Sequence, residues 1–192
     1  MTLNDFLNYR APRWADFPDI ELYMDQVIGI LEKKLAPLYW EEQKIITSTM
    51  INNYVKQKIL PPPENKRYSR AQIARIFTVC VLKRFMQLSE IARLLQNLEA
   101  GRDAEAVYTL FAENLESAIH FVFGGAPHPA EVPTDLNIKT VWSACIAFAT
   151  ISYSRLIYLN AAQTWPCPTE DKEKDKDKKK EKKAETKEKK RT

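Results

Sequence analysis

Lys44-Ile-Ile-Thr-Ser-Thr-Met-Ile-Asn-Asn-Tyr-Val-Lys56, with Ile59-Leu-Pro-Pro-Pro-Glu-Asn-Lys-Arg-Tyr-Ser-Arg70 close behind it, reads as a short capped helix, a stiffened loop and the start of a second capped helix. Thr47 offers a hydroxyl to the first helical N–H groups, and Met50, Ile51, Tyr54 and Val55 share one side of a helix that runs to Gln57. The opposite side carries Ser48, Thr49, Asn52, Asn53, Lys56 and Gln57, small hydrogen-bonding groups with a cation, a surface suited to the DNA major groove. Ile59 and Leu60 turn inward before Pro61, Pro62 and Pro63 impose an extended path. Glu64 to Tyr68 is too short for two full strands but fits a minimal wing, with a basic tip for phosphates and Tyr68 pinning its base.

Outward from this stretch the signals are helical. Ser69 and Gln72 form a capping box, with Tyr68 and Ile73 spaced as a hydrophobic staple. The helix behind them is expected to bury Ile73, Ile76, Phe77, Cys80, Val81 and Phe85, and Ser89 to cap a further helix burying Ile91, Leu94, Leu95 and Leu98, stopped by Gly101. Upstream, Ile20, Tyr23, Met24, Val27, Leu31 and Leu35 recur at helical spacing, which predicts an amphipathic helix over 19–35 capped by Asp19. Residues 1–18, with Trp14, Phe17 and two prolines, predict an extended arm anchored by its aromatics. Residues 38–43 form a connector with aromatics.

Beyond Gly101 the spacing predicts a helix over 103–123 ending at Gly124-Gly125. A loop with Pro127, Pro129 and Pro133 leads from it to a last helix over 135–162. That helix is apolar nearly all round between Val141 and Ile151, which predicts a central position in the core or at a dimer interface. Its uncharged run, Thr140 to Ser154, has 15 residues, short of the ~20 a membrane span needs. No leader is visible at the N-terminus, and a soluble, cytoplasmic protein with no membrane partner is expected. After Pro168 the chain is almost entirely Lys, Glu and Asp, too poor in apolar surface to offset ordering entropy, so 166–192 is expected to be a disordered charged tail.

Charge is segregated. From Lys44 to Asn97 ten basic residues stand against two acids, a net of +8. The flanks of this segment hold seven basic and fifteen acidic residues, and the tail from Thr169 accounts for the whole chain's +4. A local field of this kind points to an anionic partner that the overall charge conceals. Cys80, Cys145 and Cys167 are odd in number and far apart, which predicts free thiols in a reducing compartment rather than a disulfide framework or a zinc site. His120 and His128 have no ligand-spaced partners, no phosphate-binding glycine loop or nucleophile motif occurs, and no carboxylate pair stands out. No metal, cofactor or catalytic residue is expected, and the chain is not expected to be an enzyme.

Ile51-Asn-Asn-Tyr-Val-Lys-Gln-Lys-Ile-Leu-Pro-Pro62 resembles the recognition-helix signature of MerR-type winged-helix proteins. Lys66-Arg-Tyr-Ser69 with Ile73 resembles the end of their wing, and Leu88-Ser-Glu-Ile91 with Leu94-Leu95 resembles their final helix. Over roughly residues 14–160 the chain also resembles a bacterial family, domain of unknown function 1836, in its Met-Ile-Asn-Asn-Tyr-Val-Lys and Pro-Pro-Pro…Arg-Tyr runs. Two positions depart from the MerR pattern. Asn52 stands where that family has a phosphate-clamping Arg, and Lys58 where it has a helix-terminating Gly. A non-glycine residue in a left-handed cap costs about 1 kcal/mol or more.

The expected fold is all-α (mainly helical). It comprises an N-terminal arm (1–18), a MerR-like winged helix-turn-helix with its preceding amphipathic helix (19–100), a helical pair (101–165) and the tail (166–192). The expected function is that of a DNA-binding transcriptional regulator. Double-stranded DNA would be met by Thr49, Asn52, Asn53, Tyr54 and Lys56 on the helix, and by Asn65, Lys66, Arg67 and Tyr68 at the wing. Tyr54 reads equally as a phosphate donor or a core aromatic, and Arg70, Arg75 and Arg84 as contributors to the field without direct contact. The 103–162 helices would form a homodimer and could sense a small-molecule effector through Trp142, Phe148, Tyr153 and Tyr158 with His120 and Phe121, although such aromatics are more often plain core. The alternatives are a protein-interaction adaptor that keeps the winged fold without DNA binding, and a small-molecule sensor.

Overall fold

The computed structural model describes residues 2–39, 44–125 and 134–162. The connector aromatics after Tyr39, the 126–133 part of the proline loop with His128, and the charged tail with Cys167 lie outside them.

The described residues form seven α-helices: α1 (Leu3–Leu7), α2 (Met24–Leu35), α3 (Ser48–Lys56), α4 (Arg70–Leu82), α5 (Leu88–Glu99), α6 (Ala104–Gly124) and α7 (Leu136–Ala162). Two short strands, β1 (Leu22–Tyr23) and β2 (Arg67–Tyr68), pair antiparallel, Leu22 opposite Tyr68 and Tyr23 opposite Arg67. The chain is therefore mainly helical, with one sheet that joins the segment before α2 to the segment before α4. Met1–Tyr153 form one compact unit, and a second unit begins at Ser154, partway along α7.

The caps follow local sequence. Thr47 Oγ1 accepts from Met50 N at 3.2 Å to start α3, and Ser69 and Gln72 exchange side-chain and backbone bonds at the start of α4. Asp103 Oδ1 takes the Ala106 N–H at 2.8 Å to start α6, whose end is marked by Gly125 at φ 64°. Asp135 Oδ1 accepts from Asn137 N at 2.7 Å at the head of α7. Two predicted starts move. The helix expected from Asp19 begins at Met24, because residues 22–23 are drawn into the sheet; Asp19 instead pairs with Arg70 at 3.2 Å, and Ile20 is left exposed. The helix expected to be capped by Ser89 begins two residues earlier, at Leu88 with Gln87 as its cap, where Gln87 N donates to Glu90 Oε2 at 2.8 Å.

α4, not α7, is the central helix of the core. Nine of its thirteen residues are buried, from Ile73 through Leu82, and it packs against α2 and α6. Thr78, its buried hydroxyl, donates back to the Ala74 carbonyl, so the burial leaves no orphaned group there. Within the first unit α7 is buried along one side, at Val141, Ala144, Cys145, Phe148, Ala149 and Ser152, and exposes Ile151; in its later part Leu156 is buried and Ile157, Tyr158 and Leu159 are exposed. It is the one described helix long and apolar enough, over Leu136–Asn160, to cross a membrane by length and composition. It reaches that length only by continuing past Lys139 and Arg155, beyond the uncharged run of 15 residues, and its buried side within the first unit is that of a core helix.

The N-terminal arm is not extended throughout. α1 packs on α6, with the ring of Phe6 stacked on Phe123 at 4.2 Å and 13°. Farther along, Ala11 N donates to Glu116 Oε2 at 3.1 Å, Arg13 pairs with the same carboxylate at 3.1 Å, and Tyr108 Oη donates to the Pro12 carbonyl at 2.7 Å. Phe17 then meets Tyr108 edge-on at 5.1 Å and Phe77 at 6.2 Å. The arm and the helices after residue 101 thus belong to the same core as α4, within the first unit.

Candidate nucleic-acid interface

α3 is a two-sided helix. Ile51 and Tyr54 are buried, while Thr49, Asn52, Asn53 and Lys56 are exposed and, with Thr47 and Met50, line a shallow depression of about 460 Å³. The half-buried Lys83 reaches toward this helix from the end of α4, its Nζ 3.9 Å from Met50 Sδ, and burial pulls its ammonium below the ordinary lysine value.

The end of α3 is built around Lys58. Lys58 N donates to the Val55 carbonyl at 3.0 Å and Ile59 N to the Tyr54 carbonyl at 2.9 Å, the two bonds of a Schellman motif, with Lys58 at φ 57° in the position that favours glycine. Ile59 is fully buried behind it. The missing glycine is thus absorbed without losing the cap geometry.

Past the prolines the chain reverses through Glu64-Asn65-Lys66-Arg67. Arg67 N donates to the Glu64 carbonyl at 2.7 Å, and Asn65 and Lys66 have φ 47° and 64°. Positive φ at both central residues defines a type I′ turn, whose twist matches paired strands. Asn65 and Lys66 are exposed at its tip. Arg67 stands one step down on β2, where its guanidinium lies over the Tyr23 ring at 5.0 Å and donates to Tyr23 Oη at 3.1 Å, a bond that raises its pKa.

Burial removes two predicted residues from any surface. Tyr68 is fully enclosed at the base of the turn, so it serves as a pin and not as a contact. Tyr54 is equally buried; its hydroxyl has no hydrogen-bond partner among the described residues, and desolvation, with the Cys80 thiol beside it, pushes its pKa far up. Of its two readings, core aromatic is the one the packing supports.

Three arginines of the basic segment are used internally. Arg70 pairs with Asp19; Arg75 pairs with Glu99 and donates to the Ile59 carbonyl; Arg84 donates to the Leu38 carbonyl at 2.6 Å and lies over the Tyr39 ring at 4.7 Å. Burial pulls Arg75 and Arg84 below the usual guanidinium value. Sequence reasoning did not foresee these roles, because a half-buried arginine bound to carbonyls has no distinct sequence signature. Four of the residues considered for an effector pocket have defined surroundings. Phe148 lies in the core, Tyr153 meets Phe123 edge-on, Tyr158 is exposed, and His120 Nε2 lies 2.9 Å from Arg10 Nη1 and 3.1 Å from the Tyr9 carbonyl. Among the described residues no group of three His, Cys, Asp or Glu is placed to hold a metal ion.

No curated protein and no solved structure matches the chain. A family model described as Domain of unknown function (DUF1836) matches residues 12–111, just over half of the chain, from the arm through α3, the turn and α4 into α6. The chain belongs to the DUF1836 family.

Proposed function

We propose that this protein is a DNA-binding transcriptional regulator of MerR-like winged-helix type, with α3 in the major groove and the Asn65–Lys66 turn on the phosphate backbone. The observation that carries this reading is the pairing of one helix with one turn. α3 leaves Thr49, Asn52, Asn53 and Lys56 exposed over a buried side, and a tight type I′ turn anchored by Tyr68 follows it with a lysine at its tip. Asn and Thr side chains offer base-edge hydrogen bonds, and Lys56, Lys66 and Arg67 offer phosphate contacts. The exposed Ile151, Ile157, Tyr158 and Leu159 along α7 favour a homodimer, which would present two such helices. No catalytic role is proposed.

Binding to random duplex at low salt tests the reading. With about six phosphates neutralised per dimer, log K falls with log salt at a slope near −5. Lys56→Ala with Lys66→Ala weakens binding to all sequences and flattens the slope; an unchanged slope removes the interface from consideration. One observation favours a second reading, a protein-interaction adaptor: Arg70, Arg75 and Arg84 are occupied internally, which leaves fewer free cations than the +8 suggests. Absence of any shift at micromolar protein selects that reading.

A further inference from the structure

A cavity of about 210 Å³ lies between α4, α5 and α6. Its walls are largely apolar, from Pro61, Ala71, Leu95, Val107 and the ring of Tyr108, and its polar groups include Arg75 and Glu99. The other polar side chains are occupied. Gln72 Nε2 donates to the Pro61 and Pro62 carbonyls at 3.0 and 3.1 Å while its Oε1 accepts from Ser69 N, and the Thr78 hydroxyl donates to the Ala74 carbonyl.

Arg75 is different. Its Nε is fixed on the Ile59 carbonyl and its Nη1 on Glu99, while Nη2 makes no hydrogen bond among the described residues. The side chain is 16% exposed, against 38% for its partner Glu99. Glu99 is also the last residue of α5, where a carboxylate opposes the helix dipole. The guanidinium is thus held and partly desolvated, with Nη2 open to solvent and free to take a ligand, while the carboxylate on it is solvated and unfavourably placed. A second carboxylate could replace or join Glu99 on a planar fork built for two parallel bonds.

We infer that this cavity is a binding site for a small organic monocarboxylate with an apolar body, its carboxylate on Arg75 and its body against Leu95, Val107 and Tyr108. The volume is below the ~300–1,000 Å³ of drug-sized sites, which limits the ligand to about ten non-hydrogen atoms. The site stands independently of the DNA reading, because it is defined by Arg75 and the cavity alone.

Calorimetric titration of the full chain, without DNA, with phenylacetate and with 2-phenylethanol as its neutral counterpart tests this. Phenylacetate is expected to bind saturably with Kd of about 0.1–1 mM, and the alcohol at least ~10-fold more weakly. Glu99→Gln removes the competing charge at the rim and is expected to tighten phenylacetate ~3- to 10-fold. Ala104 lines the cavity from an exposed position, so Ala104→Phe fills it without altering the core and is expected to abolish binding at an unchanged melting temperature. No saturable heat in both the native chain and Glu99→Gln overturns the proposal. So does equal affinity for the alcohol, or undiminished binding by folded Ala104→Phe.

Discussion

Replacing Lys66 by glycine should make the protein more stable and a weaker DNA binder at once. Lys66 holds φ 64° at the second central position of the type I′ turn, where an L side chain costs ~1–2 kcal/mol. Glycine removes that cost but gives back ~0.5–1 kcal/mol through the greater freedom of the unfolded chain. The net is a gain of about 0.5–1 kcal/mol, or roughly 1–4 °C in Tm for a domain of this size. The same change deletes an exposed cation from the proposed phosphate contact. If each protomer loses one contact, a dimer neutralising about six phosphates falls to about four, and the salt slope shifts from near −5 to about −3.6. Thermal melting followed by circular dichroism reads the first effect, and fluorescence anisotropy with a labelled duplex across a salt series reads the second. A lower Tm would refute the turn geometry. A higher Tm with an unaltered salt slope would keep the turn and refute its contact with DNA.

Tyr54→Phe removes a buried hydroxyl without a partner and is expected to raise stability by about 0.5–1 kcal/mol with DNA affinity unchanged; weakened binding in anisotropy would return Tyr54 to the contact surface. Asp135 has its carboxyl held below the ordinary 3.8, first by the Asn137 N–H and then by Arg102 at 3.1 Å. Its depressed folded pKa means that its contribution is complete above that ordinary value and is lost as pH falls below it. Asp135→Asn should therefore flatten the acid limb of urea-denaturation midpoints measured against pH, and an identical limb in the variant would contradict this. Burial pushes the Cys80 thiol up to about 11 and the Cys145 thiol higher still. Iodoacetamide labelling of both, read by mass spectrometry, should be slowed roughly a thousandfold or more relative to the unfolded chain, and labelling of either at the unfolded rate would contradict their burial. Phe6→Ala should cost about 3–5 kcal/mol, since this fully buried ring stacks on Phe123; denaturation midpoints that do not move would show that α1 is not part of the cooperative unit.

The parts of the fold that were legible in the sequence are those whose causes are local. Thr47, the Ser69–Gln72 box, Asp103, Asp135 and Gly125 each act within four residues, so their helix ends were readable from spacing. The β1–β2 pair was not, because two-residue strands have no alternation to detect and their partners, such as Tyr23 and Arg67, lie 44 positions apart. On α4, Arg75 reaches a carbonyl and a carboxylate and Thr78 reaches a carbonyl inside the fold, so polar letters there do not mean a solvent-facing side. At the candidate site, Asn52, Asn53 and Lys56 were placed on an exposed side as expected. The reversal at Asn65-Lys66 was expected as the tip of a minimal wing, but its type I′ form was not, because the pair lacks the glycine that usually marks such a turn. Tyr54 could not be settled by spacing, since a tyrosine at the edge of an apolar stripe fits either side.

The strapping of the N-terminal segment onto α6 has a consequence for how the chain is made. Ala11 binds Glu116 across 105 positions and Tyr108 binds the Pro12 carbonyl across 96. Contacts of such long range form slowly, after the loop between them has closed. During synthesis at ~5–20 residues per second, Phe6, Trp14 and Phe17 leave the ribosome about 5–20 s before their partners on α6 exist. For that interval Phe6 and Trp14 lack the rings they pack on, and Phe17 has only Phe77 of its two, so the nascent chain exposes apolar surface that the finished protein covers. A fragment cut to the family-matched 12–111 keeps Trp14 and Phe17 with their partners Phe77 and Tyr108, and loses the stacked pair of Phe6 and Phe123 as a whole.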